Sequence, residues 1–284
     1  MSAIECLLSD LLDYAGLFPP AALDMHSAVR NYLEYSCGSH ARILGRLIVN
    51  IDRFPYLWDA AGDYVRTLRL SLLAIADTDW SEVHRILDNG YNVEAIEIAP
   101  VAAHEIPHIA KEIPEGPDLY FEVPWNRRGP LMLDSIAETG AGVKIRMGGA
   151  KFDAFPPLEA VAEMLKELTA RHLPFKATAG LHHPIRSRHT ASDAPGSPVV
   201  TMHGFMNFAC GAALVYFGGE SDDLQHLLGE EDPEAWQIEE NAIRWRSQRW
   251  NADQLVTLRR ESLISIGSCS FEEPVRDLEA LKWL

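Results

Sequence analysis

The chain has 284 residues, 47% of them hydrophobic and 23% charged, with 41 acidic against 25 basic residues and a formal net charge of −16. That length suits one large α/β barrel or two ordinary domains, and the composition excludes fibrous and largely disordered classes. A chain this acidic has no general attraction to nucleic acid or anionic lipid, so any anion must be met by a local basic cluster.

The four cysteines, Cys6, Cys37, Cys210 and Cys269, are far apart and form no CxxC pair. This pattern predicts no disulfide framework and a reduced, cytoplasmic setting. The start, Met1-Ser2-Ala3-Ile4-Glu5, lacks the basic region of a secretory signal, so none is expected. The most apolar stretch, Phe205 to Phe217, contains Asn207 and Gly211 and is too short to span a bilayer. The expected partner is a small molecule, with neither nucleic acid nor membrane; homo-oligomerisation stays open.

In chain order, Leu8, Leu11, Leu12, Val29 and Leu33 have helical spacing, so residues 1–40 are expected to form a helical extension. Within it, Gly16, Pro19 and Pro20 force a turn between helices, and Tyr14 and Phe18 could cover one end of the fold. From residue 43 onward, short β-branched runs alternate with helical segments. Seven runs read as strands: Leu47 to Val49, Leu70 to Ala76, Val93 to Ala99, Leu119 to Val123, Val143 to Met147, Phe175 to Ala179 and Leu263 to Ile266. They are nearly continuous in apolar character, as strands covered on both faces are.

Between them, Ser81 can cap a helix ended by Asn89-Gly90. Leu158, Val161, Met164, Leu165 and Leu168 repeat along another that ends near His172, and Asn251 can cap a third through Arg260. An eighth strand is expected from a hairpin in Ala235 to Arg246, where Trp236, Ile238, Ile243 and Trp245 alternate with polar residues. Eight strand–helix units predict a closed (β/α)8 barrel spanning the chain, with an open doubly wound sheet as runner-up. No GxGxxG is present to mark a dinucleotide site.

The working groups of such a barrel lie at strand C-termini and on the following loops. Lys144 and Arg146 are two residues apart and share a face, as do Lys176 and Thr178, while Ile145 and Ala177 suit the helix-covered face. Buried cations need partners, and Glu97 and Glu122 on neighbouring strands are the obvious ones. One reading is a structural ion-pair network. The functional reading is a site for an anionic or carbonyl substrate. In it Lys176 attacks as a neutral amine, Lys144 lowers its pKa, Glu122 shuttles protons, and Arg146 binds a carboxylate or phosphate. Glu97 and Thr178 would contact substrate, and backbone N–H groups of Gly148 and Gly149 could hold a phosphate.

The run Phe175-Lys176-Ala177-Thr178-Ala179-Gly180 resembles the lysine-bearing strand of class I, Schiff-base aldolases of the deoxyribose-phosphate aldolase type. That resemblance covers about six residues and implies a (β/α)8 barrel with Lys176 as the imine lysine and Lys144 as the second. This sequence departs from the pattern in two ways. Its second lysine precedes Lys176 by one strand instead of following it, and His182-His183-Pro184 has no counterpart. The chain as a whole also resembles an uncharacterised bacterial (β/α)-barrel family, which brings no activity with it.

Histidines offer a different chemistry. His182, His183 and His203 flank a turn-rich segment, Ser187 to Pro198, that reads as a covering loop and contains His189. With a carboxylate they could hold a divalent Zn or Fe ion for a hydrolase, isomerase or lyase. They are equally suited to contact substrate directly. His104-Glu105-Ile106-Pro107-His108 fits HExxH, but Pro107 suits the first residue of a helix and leaves His104 outside it. Cys269 sits in a Ser-Cys-Ser turn and reads as a small, partly buried thiol in preference to a nucleophile. No GxSxG elbow occurs. Glu220 to Glu240 carries nine acids and no Lys or Arg, and Arg244, Arg246 and Arg249 are expected to pair with them. A third class, a barrel that binds a ligand without turnover, remains beside the two enzyme readings.

Overall fold

The computed structural model describes residues 1–126, 129–149, 151–191 and 196–284. Eight parallel strands close into a barrel: β1 (Leu12–Tyr14), β2 (Leu44–Asn50), β3 (Leu70–Ala74), β4 (Val93–Ile98), β5 (Asp118–Val123), β6 (Gly142–Arg146), β7 (Phe175–Thr178) and β13 (Leu263–Ser268). Their order around the barrel follows the chain. Between β7 and β13 lie a two-stranded ribbon, β8 (Ser187–Thr190) with β9 (Val199–Met202), and a three-stranded meander, β10 (Trp236–Ile238), β11 (Ala242–Trp245) and β12 (Gln248–Asn251). The expected (β/α)8 barrel is present.

The strand that closes the barrel is not the expected one. The hairpin forms as read, with Trp236 opposite Trp245 and Ile238 opposite Ile243, but it is antiparallel and lies outside the barrel. The gap is filled by β1, from the segment expected to be a helical extension. Asp13 pairs with Gly267 of β13, while Leu12 and Tyr14 pair with Leu44 and Leu47 of β2. Residues 1–40 are helical only over Ala3–Leu8 and Met25–Ser36. Leu8, Leu11 and Leu12 are all fully buried, and this is why their spacing reads as one face of a helix.

Local signals set most other boundaries. The helix after β3, Trp80–Asp88, is capped by Asp79 and not by Ser81; the Asp79 side chain accepts from the Ser81 N–H. Asn251 and Gln254 form a reciprocal capping box for Ala252–Glu261, as expected. Leu158–Ala170 packs its Val161, Met164, Leu165 and Leu168 stripe inward. The helix Phe205–Tyr216 buries ten consecutive residues, including Asn207 and Gly211. An all-round apolar helix of this length is a core helix. No helix in the described residues is long and apolar enough to cross a membrane.

Ile106–Glu112 carries Pro107 in its first turn, with His104 before it, so the HExxH match is not one helical face. The Arg–acid pairing holds: Arg246 meets the buried Glu230 at 2.6 Å, and Arg244 and Arg249 lie 3.6 and 3.8 Å from Glu239. The turn-rich segment is partly a β-ribbon in place of a loop, and its residues 192–195 lie outside the described ones.

Candidate active site at the C-terminal mouth

Strand phase and register bring the chemistry together. Lys144 lies beside Lys176, Glu122 beside Lys144, and Arg146 beside Thr178. The pleat turns Lys144, Arg146, Lys176 and Thr178 inward, as the two-residue spacing predicts. Glu97 sits between the lysines. Its Oε1 is 2.5 Å from Lys176 Nζ and its Oε2 is 2.8 Å from Lys144 Nζ. Glu122 lies 3.0 Å from Lys144 and holds Arg146 through two contacts of 2.8 and 3.3 Å.

The sixth member is Asp13, which sequence reasoning missed. Its Oδ2 accepts from Lys176 Nζ and from Ser265 Oγ, each at 2.6 Å, and its Oδ1 accepts the Arg46 backbone N–H at 2.8 Å. Gly45 makes this fit possible, because a Cβ there would stand 2.4 Å from Asp13 Oδ1. Asp13 was legible only as an isolated acid inside the apolar run Leu11 to Leu17. Ser71 adds a further donor to Glu97 Oε1 at 2.7 Å.

Formally, three carboxylates face three cations. Such a set survives burial because every charge has a partner at hydrogen-bond distance. Burial alone would raise the Glu97 carboxyl, but the charges of Lys144 and Lys176 outweigh it and hold Glu97 well below the usual range. Glu122 is lowered in the same way by Lys144 and Arg146. Lys176 corrects an expectation. Burial opposes its charge, yet Asp13 and Glu97 outweigh burial and raise its pKa, the reverse of the lowering expected from Lys144.

Above this network opens a cavity of about 570 Å3. Its polar lining comes from Glu97, Lys144, Arg146, Thr178, His182 and Cys269. Lys176 is absent from that wall; its side chain is 0% exposed, below the floor. Lys144 reaches the wall at 5% exposure, and Arg146 stands at the rim, 48% exposed. Glu97 Oε2 is engaged by Lys144 Nζ at 2.8 Å, so both carboxylate oxygens of Glu97 face a lysine. Gly149 lines the cavity, whereas Gly148 packs Cα against Cα with Gly180 and leaves no room for a side chain; a Cβ on Gly148 would lie 2.8 Å from Gly180 Cα.

His182 and His183 approach the same carboxylate, Glu273, at 3.4 and 3.9 Å, while His203 stands apart. His182 lines the cavity, with its Nδ1 4.0 Å from Cys269 Sγ and 3.4 Å from Glu273 Oε2. His183 turns to Asp277 at 2.6 Å and stacks on His189, with ring centroids 3.4 Å apart. His203 is buried elsewhere and donates from Nε2 to the Pro156 carbonyl at 2.7 Å. Among the described residues, no three His, Cys, Asp or Glu side chains are grouped to hold a metal ion. The loop after β1 covers the mouth with Phe18, Pro19 and Pro20, while Tyr14 packs away from it on Tyr35.

Burial pushes His182 down, but Cys269 and Glu273 outweigh it and raise it to about 9 from 6.5. A raised imidazole stabilises the fold fully below 6.5 and loses that contribution as pH climbs through about 9. The lowered Glu97, Glu122 and Glu273 work oppositely: their contribution is present above 4.5 and lost as pH falls further. Melting temperatures across the pH range are therefore expected to fall at both ends. His182→Gln should flatten the alkaline limb and leave the acid limb; an unchanged alkaline limb would refute this assignment.

Fold and site together define a (β/α)8 barrel with a charge-balanced, lysine-bearing floor under a partly open mouth. No protein-family model and no curated protein matches the chain.

Proposed function

We propose that the protein is an imine-forming lyase of small carbonyl acids, with Lys144 and not Lys176 as the nucleophile. The observation that carries this reading is positional. Lys144 is the lysine on the cavity wall, flanked by two carboxylates at 2.8 and 3.0 Å, while Lys176 is sealed beneath. Exchanging the roles puts the second lysine on the following strand, as in the Schiff-base aldolase pattern, but moves the imine lysine off the Phe175–Gly180 run that carried the resemblance.

The chemistry follows from the contacts. A substrate carboxylate draws the half-exposed Arg146 away from Glu122 and forms the bidentate pair that guanidinium geometry favours. Glu122 then loses one of the two cations that keep its pKa low, and becomes able to take a proton from Lys144. The neutral amine attacks the carbonyl carbon. A C–N bond forms, the oxygen leaves as water, and the net change is ammonium plus ketone to iminium plus water. Glu97 supplies the fixed negative charge beside the iminium. In a 4-hydroxy-2-oxo acid the hydroxyl proton passes to Glu122 through one water, the C3–C4 bond breaks to release C4 as an aldehyde, and its electron pair enters the C2 iminium to give an enamine. Protonation at carbon and hydrolysis release the product.

Borohydride reduction in the presence of a 2-oxo acid tests this. The expected result is one reduced adduct per chain, mapped to Lys144 by peptide mass and absent from Lys144→Met. An adduct on Lys176, or a bound ligand with no adduct, would overturn it; the latter is the outcome for a barrel that binds without turnover.

A further inference from the structure

We infer that the substrate is an apolar carbonyl acid, a 2-oxo acid with a branched or aromatic body, and not a polyhydroxylated sugar phosphate. This deepens the imine reading and rests on it for the carbonyl, but the size and polarity of the site stand independently.

The polar groups of the cavity are unevenly placed. Lys144, Arg146, Glu97 and Thr178 come from β4, β6 and β7 and crowd one part of the floor. Apart from His182 and Cys269, the remainder is apolar and comes from separate elements: Phe18 and Pro20 after β1, Ile48 on β2, Leu73 on β3, Phe155 after β6, and Met202 on the ribbon. Phe155 is itself packed on a small cluster of Ala191, Val200 and Met202, so this wall is held in place from behind. A sugar phosphate carries a hydroxyl on nearly every carbon. Each hydroxyl placed against these side chains would lose its water partners without replacement, which weakens binding.

Size argues the same way. A cavity of about 570 Å3 lies within the range that encloses drug-sized ligands. A three-carbon acid would reach Lys144 and Arg146 and leave the apolar half unfilled. One guanidinium stands at the rim, matched to one carboxylate. Gly148 is packed against Gly180, and of the Gly-Gly pair only Gly149 lines the cavity. The substrate that uses the whole wall has one carboxylate, one adjacent carbonyl, the single hydroxyl that C–C cleavage needs, and an apolar body.

Titration calorimetry with 3-phenylpropionate, propionate and glycerol 3-phosphate reads this without needing an imine, since none of the three carries a ketone or aldehyde. Burying a phenyl group should make 3-phenylpropionate bind about 10- to 100-fold more tightly than propionate. Arg146→Gln should weaken both acids, and Met202→Ala only the phenyl acid. Equal affinities for the two acids, or tighter binding of glycerol 3-phosphate, would overturn the inference. Because Met202→Ala perturbs the ribbon, Leu73→Ser on β3 serves as a second variant with the same expected selectivity.

Phenylpyruvate with borohydride separates the two ideas. Tight 3-phenylpropionate binding without a phenylpyruvate adduct would sink the imine and keep the apolar-acid site. A Lys144 adduct that saturates at lower glyceraldehyde 3-phosphate than phenylpyruvate would keep the imine and sink the apolar-acid site.

Discussion

Replacing Lys176 by methionine is expected to cost about 3–5 kcal/mol of folding stability, the range for breaking a buried ion pair from one side. Lys176 Nζ is the only side-chain cation within ion-pair distance of Asp13 among the described residues, and it shares Glu97 with Lys144. Methionine there leaves Asp13 with Ser265 Oγ and one backbone N–H as its remaining donors, at a site with no exposure. Lys144→Met removes an equal charge from a different setting. Glu97 keeps Lys176 and Glu122 keeps Arg146, and the vacated position opens on the cavity, where water can enter. Its cost should be less than half that of Lys176→Met in parallel urea titrations. Under the proposed imine chemistry the lysines divide: Lys176 holds the barrel and Lys144 is the nucleophile. Equal costs, or a larger one for Lys144→Met, would contradict that division.

Glu97→Gln should slow accumulation of the borohydride-trapped adduct by about 100-fold or more, the scale on which one pre-placed electrostatic group acts. The amide keeps the shape and can still accept from Ser71, but it removes the negative charge shared by both lysines. The iminium would then form beside a neutral group. Circular dichroism should confirm that the variant is folded, so that the loss reads on chemistry. A change of less than about threefold in a folded variant would remove Glu97 from the mechanism.

Much of this site was legible in the residues, for one physical reason. A strand alternates its faces, so Lys144 with Arg146, and Lys176 with Thr178, had to share sides, and buried cations require acids such as Glu97 and Glu122 nearby. The same alternation revealed the Trp236–Trp245 hairpin. It could not say whether that hairpin joined the barrel, because pairing within a hairpin is local while barrel closure depends on which distant edge is vacant. Asp13 escaped for a related reason. β1 has three residues, too few to show a period of two, and its leucines continue a helical spacing begun by the preceding helix. Depth was also invisible. Lys144 and Lys176 are neighbours in register, and only the closed barrel with its loops decides which one meets the cavity. The roles given to the two lysines reversed on that single point.

The most direct test is to reduce the protein with borohydride in the presence of phenylpyruvate, digest it and locate the mass increment. One adduct is expected, on Lys144, lost in Lys144→Met and retained in whatever fraction of Lys176→Met remains folded. An adduct on Lys176 in the native protein, or none on either lysine at saturating ligand, would contradict it.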